Sequence, residues 1–350
     1  MKKQKVIISE QLEQVLCKEV GECKADRIFI LTDKTTHQLC LPVVKNYDCL
    51  QGAEVITIEA GDTNKTLDAV VHVWSELQHM GATRHSLLIN LGGGMVTDLG
   101  AFAASTFKRG ISIINIPTTL LSMVDASVGG KTGFNFGGLK NEIGVFNNAN
   151  CVILDTTFLK TLDEENILSG YAEMLKHGLI STEEHWAELM NFDVEHPDLK
   201  ELGNLVAKSV QVKEGIVTED PTEKGIRKAL NLGHTIGHAF ESLALQRKPV
   251  LHGYAVAWGL VCELYLSVAK TGFPVEKMRQ MTRFIFEHYG RMPITCDDYP
   301  TLLELMTHDK KNIGTSINFT LLGGIGDIRI NQTATKEEIE EALDFFREGC

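Results

Sequence analysis

Short apolar runs separated by helix-length stretches constrain the first half of this chain more than any other feature. Residues 27–31 (RIFIL), 54–58 (EVITI), 86–90 (SLLIN) and 111–116 (ISIINI) have the length of buried strands, and 151–154 (CVIL) adds another. Helical patterns fill the gaps. One runs through Val44, one over 67–80 is amphipathic, and one over 96–107 is built of small residues. Strand and helix alternating at these lengths argue for a parallel α/β sheet with helices on its faces. Ligands bind such sheets beyond the carboxyl ends of the strands, where Asp33 and Gly92-Gly93-Gly94 fall.

The second half reads differently. Residues 167–181, 183–190, 198–217, 225–244, 253–270 and 275–288 carry helical periodicity, followed by a short strand over 316–322 and a terminal helix over 336–346. Two domains are therefore expected, an α/β domain over 1–160 and a mostly helical one over 161–350. The length of 350 residues agrees with about two domains. With 34 basic against 46 acidic residues the net charge is −12. That balance disfavours a nucleic-acid binder and makes any basic cluster conspicuous. The eight cysteines include no C-x-x-C pair, and a chain of this size needs no staples. They are expected to be reduced thiols in a cytoplasmic protein. Ser9, Glu10, Gln11, Glu13 and Gln14 interrupt any signal-peptide core, and nowhere do 18 apolar residues run together. No membrane span is expected.

Several motifs carry chemistry. The turn from Gly92 to Asp98 joins a strand to a helix, and its glycines would let backbone N–H groups approach a phosphate. It is not G-x-G-x-x-G, so the dinucleotide fingerprint is absent. Asp33 could accept from ribose hydroxyls or cap a helix, and Asp62 with Lys65 could hold another part of the same nucleotide. The stretch 125–141 (DASVGGKTGFNFGGLKN) has five glycines in 17 residues and carries Lys131, Asn135, Lys140 and Asn141. A flexible loop with interspersed lysines suits a phosphorylated ligand. His234 and His238 stand i, i+4 on one helix face, and His252 opens the next helix. Glu173 and Lys176 lie i, i+3 in an apolar helix. One Glu with two His is a catalytic zinc set, and spacing cannot choose between His234 and His238.

These segments together resemble the 3-dehydroquinate synthases of the sugar phosphate cyclase superfamily. The likeness rests on GGGMVTDLGAFAASTFKRG (92–110), IPTTLLSMVDASVGGKTGFNFGGLKNEIGVF (116–146), SGYAEMLKHG (169–178), EKGIRKALNLGHTIGHAFE (223–241) and LHG (251–253). It implies a Rossmann-like NAD-binding domain followed by a helical metal- and substrate-binding domain. It implies Glu173, His234 and His252 as ligands of Zn2+ or Co2+, which moves His238 to the substrate. Asp33, Asp62, Lys65, Gly93, Gly94, Asp98, Thr118, Thr119, Lys131, Lys140, Phe158 and Thr161 would line the NAD site. Asp125, Lys131, Asn141, Lys176, Lys213, Arg227, Asn231, His238 and one of Lys310 or Lys311 would surround the substrate. Arg109 would reach the phosphate bound by the other chain of a homodimer.

The implied substrate is a phosphorylated sugar acid, 3-deoxy-D-arabino-heptulosonate 7-phosphate. The implied course is transient oxidation by NAD, loss of phosphate, return of the hydride and intramolecular aldol closure, within the shikimate pathway to aromatic amino acids. A sister cyclase or an NAD- and metal-dependent polyol dehydrogenase shares the scaffold. The dehydrogenase would accumulate NADH and would not need a lysine-rich phosphate loop. Two departures stand out: Asp62 and Asn166 occupy positions where the family commonly has Glu.

Overall fold

The computed structural model describes residues 4–137, 139–307 and 317–349. Lys310 and Lys311 lie outside the described residues. The chain divides into two compact units, one of Met1–Asp163 with Leu199–Val210, the other of Glu164–Asp198 with Gln211–Cys350.

In the first unit the order is β1 (Val6–Ile8), α1 (Leu12–Cys23), β2 (Ile28–Asp33), α2 (Lys34–Leu39), α3 (Leu41–Val44), β3 (Glu54–Ile58), α4 (Leu67–His79), β4 (Leu87–Gly92), α5 (Gly94–Thr106), β5 (Ser112–Pro117), β6 (Lys131–Phe136), β7 (Leu139–Phe146) and β8 (Cys151–Leu154). Six strands form one parallel sheet in the order β1-β8-β5-β4-β2-β3. Every residue of β4 and β8 is buried, as strands covered on both faces must be.

The stretch 125–141, expected as a loop, is instead a π-turn at Ser122–Ala126 leading into the antiparallel hairpin β6–β7. Its glycines masked the alternation by which strands are read. The cysteine expectation is also corrected. Cys17 of α1 and Cys49 of the turn Asp48–Leu50 form a disulfide, with Cα atoms 5.1 Å apart. The helix packs on that turn across 32 residues of sequence, a pairing that local spacing does not report. Cys23, Cys40, Cys151, Cys262 and Cys296 are thiols.

The second unit contains α6 (Glu164–Leu179), α7 (Glu183–Asn191), the end of α8 (Leu199–Glu219), α9 (His234–Leu245), α10 (His252–Thr271), α11 (Val275–Tyr289), α12 (Tyr299–Thr307), the hairpin β9 (Asn318–Gly324) and β10 (Asp327–Thr333), and α13 (Lys336–Glu348). The single helix expected over 225–244 is broken. A 3-10 turn spans Ile226–Asn231, and the chain then bends at Gly233, whose φ of +79° is open to glycine without strain. His234 thereby becomes the first residue of α9. No helix among the described residues is long and apolar enough to cross a membrane.

Candidate active site and metal centre

The strand order places the first candidate region. From β2 the chain moves to β3 at one edge, whereas β4, β5 and β8 lead toward the other. The direction reverses between β2 and β4, adjacent strands that end at Asp33 and Gly92. A crevice opens at such a switch point. No side chain caps α5 at Gly93, which leaves the first-turn N–H groups of Gly94 and its successors to an anion. Thr118 follows β5 at the same edge, its N–H bonded to Gly92 O at 2.9 Å, and Thr119 Oγ1 lies 3.0 Å from Ser122 Oγ. Asp33 accepts from Thr36 N through Oδ1 at 2.8 Å, so the capping role is present in the fold. Phe158 is buried in the turn Thr156–Thr161, where Thr161 Oγ1 donates to Phe158 O at 2.7 Å.

Lys65 draws several of these residues together. Its side chain is buried, and Nζ donates to Asp98 Oδ2 at 2.6 Å and to Asn141 Oδ1 at 2.5 Å. A buried ammonium requires such partners. Asn135 ties the hairpin to the same turn, donating to Asp62 O at 2.9 Å, and Lys140 Nζ stands 3.4 Å from Asp62 Oδ2. The shorter carboxylate of Asp62 is thus within ion-pair range of Lys140. Lys131 is exposed at the start of β6, and Asp125 is half-buried in the π-turn. Arg109 is exposed beyond α5, with φ of +70° beside Lys108 at +49°. Two successive side-chain-bearing residues in the left-handed region are a strained turn.

The second unit assembles the metal candidates. Glu173 on α6 is fully buried. Its Oε2 contacts Lys176 Nζ, while Oε1 accepts no hydrogen bond and lies 3.4 Å from Nε2 of both His234 and His252. A close approach makes this possible. A Cβ on Gly253 would sit 1.9 Å from Ser169 O, so only glycine lets the start of α10 abut α6. His234 Nδ1 lies 3.1 Å from Leu232 O, which only a protonated Nδ1 can exploit, leaving the Nε2 lone pair toward Glu173. His252 Nδ1 lies 3.4 Å from Glu241 Oε2. Burial alone would raise the Glu173 carboxyl, yet Lys176 and His234 hold it well below the usual carboxylate range. Burial alone would lower His252, yet Glu241 and Glu173 push it up to about 10. A divalent cation would take the place of that proton. An orphaned carboxylate oxygen facing two oriented imidazoles fits zinc or cobalt.

One ring nitrogen from each of His234, His238 and His252 lies within 4.8 Å of the other two, so proximity alone does not separate His238 from the other two. Glu173 Oε1 lies 3.4 Å from Nε2 of His234 and of His252. Lys213 and Arg227 are buried, and Arg227 donates from its guanidinium to Pro221 O at 2.7 Å. Asn231 Nδ2 donates to Glu223 Oε1 at 2.8 Å. Glu223, Glu241 and Glu263 were not singled out from sequence. The first two are the end residues of the quoted segment 223–241, and nothing in a lone Glu announces the partners it finds in the fold.

Two family models match, described as 3-dehydroquinate synthase N-terminal over residues 55–169 and 3-dehydroquinate synthase C-terminal over 170–312. A 3-dehydroquinate synthase of Parabacteroides distasonis is 56% identical over 350 residues, covering 100% of this chain and 99% of that one. One from Pyrococcus furiosus is 39% identical over 321 residues, covering 90% and 92%. Among solved structures, 2-epi-5-epi-valiolone synthase from Streptomyces hygroscopicus, with NAD+ and Zn2+ bound, aligns with a TM-score of 0.86 at 25% identity over 99% and 97% of the chains. A 2-deoxy-scyllo-inosose synthase complexed with carbaglucose-6-phosphate, NAD+ and Co2+ has a TM-score of 0.86 at 21% identity over 97% and 95%, a likeness of fold.

Proposed function

The chain belongs to the 3-dehydroquinate synthase family, and from that membership we propose that it converts 3-deoxy-D-arabino-heptulosonate 7-phosphate to 3-dehydroquinate and phosphate, using NAD and one Zn2+ or Co2+. The observation that carries this reading is Glu173 Oε1 standing 3.4 Å from Nε2 of both His234 and His252. Structural neighbours described as holding NAD+ with Zn2+ or Co2+ support the same cofactors.

Glu173, His234 and His252 are assigned to the ion. Asp33, Asp62, Lys65, Gly93, Gly94, Asp98, Thr118, Thr119, Lys131, Lys140, Phe158 and Thr161 are assigned to NAD. When bound, NAD supplies an acceptor and then a donor of one hydride, and the ion supplies Lewis acidity at a hydroxyl. The chain's own groups do the rest. Lys213 and Arg227, buried cations in a chain of net charge −12, answer the substrate carboxylate, for which a planar guanidinium is suited. Lys131, Asn141, Asn231 and His238 hold the leaving phosphate by charge-assisted hydrogen bonds. Asp125 and Lys176 complete the residues assigned to substrate.

The assignment extends to a cytoplasmic homodimer in which Arg109 reaches the phosphate bound by the partner chain. The test is incubation with the heptulosonate phosphate, catalytic NAD and Zn2+, following phosphate and product mass. One phosphate per substrate and the mass of 3-dehydroquinate are expected. NADH accumulation without phosphate would mean a polyol dehydrogenase.

A further inference from the structure

Two helix starts converge on Glu173. α9 begins at His234 and α10 at His252, and Nε2 of each lies 3.4 Å from Glu173 Oε1. A helix start carries a partial positive charge, so the backbone here repels the cation that the metal reading requires. Neither helix has a side-chain cap at its own N-cap residue.

The start of α9 is capped from elsewhere. Glu263, in the middle of α10 and fully buried, accepts from Gly233 N at 2.6 Å through Oε2. Its Oε1 accepts from Thr235 N at 2.9 Å and Ile236 N at 3.2 Å. A serine or asparagine at the cap position would satisfy one of the first-turn donors without burying a charge. A carboxylate in their place brings a full negative charge to the helix start, which the cost of burial otherwise disfavours. The second carboxylate is Glu241, buried on α9, with Oε2 3.4 Å from His252 Nδ1. Neither is placed as a ligand. Both oxygens of Glu263 are taken by backbone N–H groups, and Glu241 meets the ring nitrogen of His252 opposite the one that faces Glu173.

We propose that Glu241 and Glu263 are positioning residues that make this junction of two helix starts able to hold a divalent cation. Glu263 offsets the positive end of α9 and fixes His234 at its first turn. Glu241 keeps His252 protonated at Nδ1, with the Nε2 lone pair toward Glu173, and adds negative charge behind the ring. The inference rests on the metal assignment of the preceding subsection.

The test is calorimetric titration of the metal-free full chain with Zn2+, with melting temperatures measured with and without zinc. Glu241→Gln keeps an accepting oxygen and removes the charge, and Glu263→Gln does the same for the α9 cap. Each is expected to weaken zinc binding by about 10- to 100-fold and to shrink the zinc-induced rise in melting temperature. A merely structural role would lower the melting temperature of the metal-free protein and leave zinc affinity at the wild-type value, and that result overturns the proposal. If Glu263→Gln does not fold, Glu241→Gln alone decides by the same criterion. Wild-type protein that binds no zinc would instead overturn the metal assignment, and this inference with it.

Discussion

His238 and His252 stand within 5.8 Å ring to ring, yet they are assigned different work. His252→Ala should lose the ion and the activity together, as metal analysis of the purified variant would register. His238→Asn should keep full metal content and lose turnover. A charge-assisted contact to a developing phosphate is worth ~3–4 kcal/mol, on the order of 10²–10³ in rate. Loss of metal in His238→Asn would instead make the i, i+4 pair the ligand pair. That ambiguity belongs to the sequence itself, where both histidines share one helix face and Glu173 lies far upstream. The resemblance names Glu173, and its Oε1 stands 3.4 Å from Nε2 of His234 and of His252. Glu241 and Glu263 were not legible at all, because only tertiary packing turns a glutamate on a helix into a buried carboxylate.

At the scale of elements, the crossing of α6 and α10 depends on Gly253. Gly253→Ala would place a Cβ 1.9 Å from Ser169 O, and such overpacking costs about 1–3 kcal/mol or more. Gly215→Ala, in α8 with nothing within 4 Å of its Cβ, should be neutral or stabilising by up to about 1 kcal/mol. Thermal unfolding of the two variants checks the contrast, and metal affinity should fall only in the first. A second junction is sensitive to acid. Burial alone would raise the Asp298 carboxyl, but Arg247 and the Thr295 N–H hold it below its ordinary value of 3.8. A depressed carboxylate contributes stability above its unfolded value and loses it as pH falls through the folded one. Arg247→Met should therefore lower the melting temperature at pH 6, and the gap to wild type should close below about pH 3.8.

The same scale shows why the elements were unequally legible. β2, β4, β5 and β8 are almost wholly buried and read as mainly apolar runs. β1 has only three residues, and β10 (DIRINQT) is mostly polar, so neither rises above its surroundings. Glycines hid the β6–β7 hairpin, and helical periodicity ran on through the bend at Gly233 because α9 resumes the same apolar pattern. In each case the missing information was a backbone contact or a positive φ, which hydrophobic spacing does not encode.

For the whole molecule, the proposed role of Arg109 requires two chains, and the proposed reaction requires a recycled cofactor. If Arg109 serves the partner's site, mixing Arg109→Ala with Lys131→Ala chains should restore part of the activity. Half of the sites in such heterodimers would carry both defects and half neither. Absence of complementation in confirmed heterodimers, or full activity in a sample that sediments as monomer, would remove the shared site. The central claim is most directly tested by turnover with NAD at about one-hundredth of the substrate concentration, recording phosphate and the absorbance of NADH together. Release of phosphate equal to all the substrate, with no lasting rise in NADH, is expected. Stoichiometric NADH, with reaction halting once the added NAD is reduced, would contradict it.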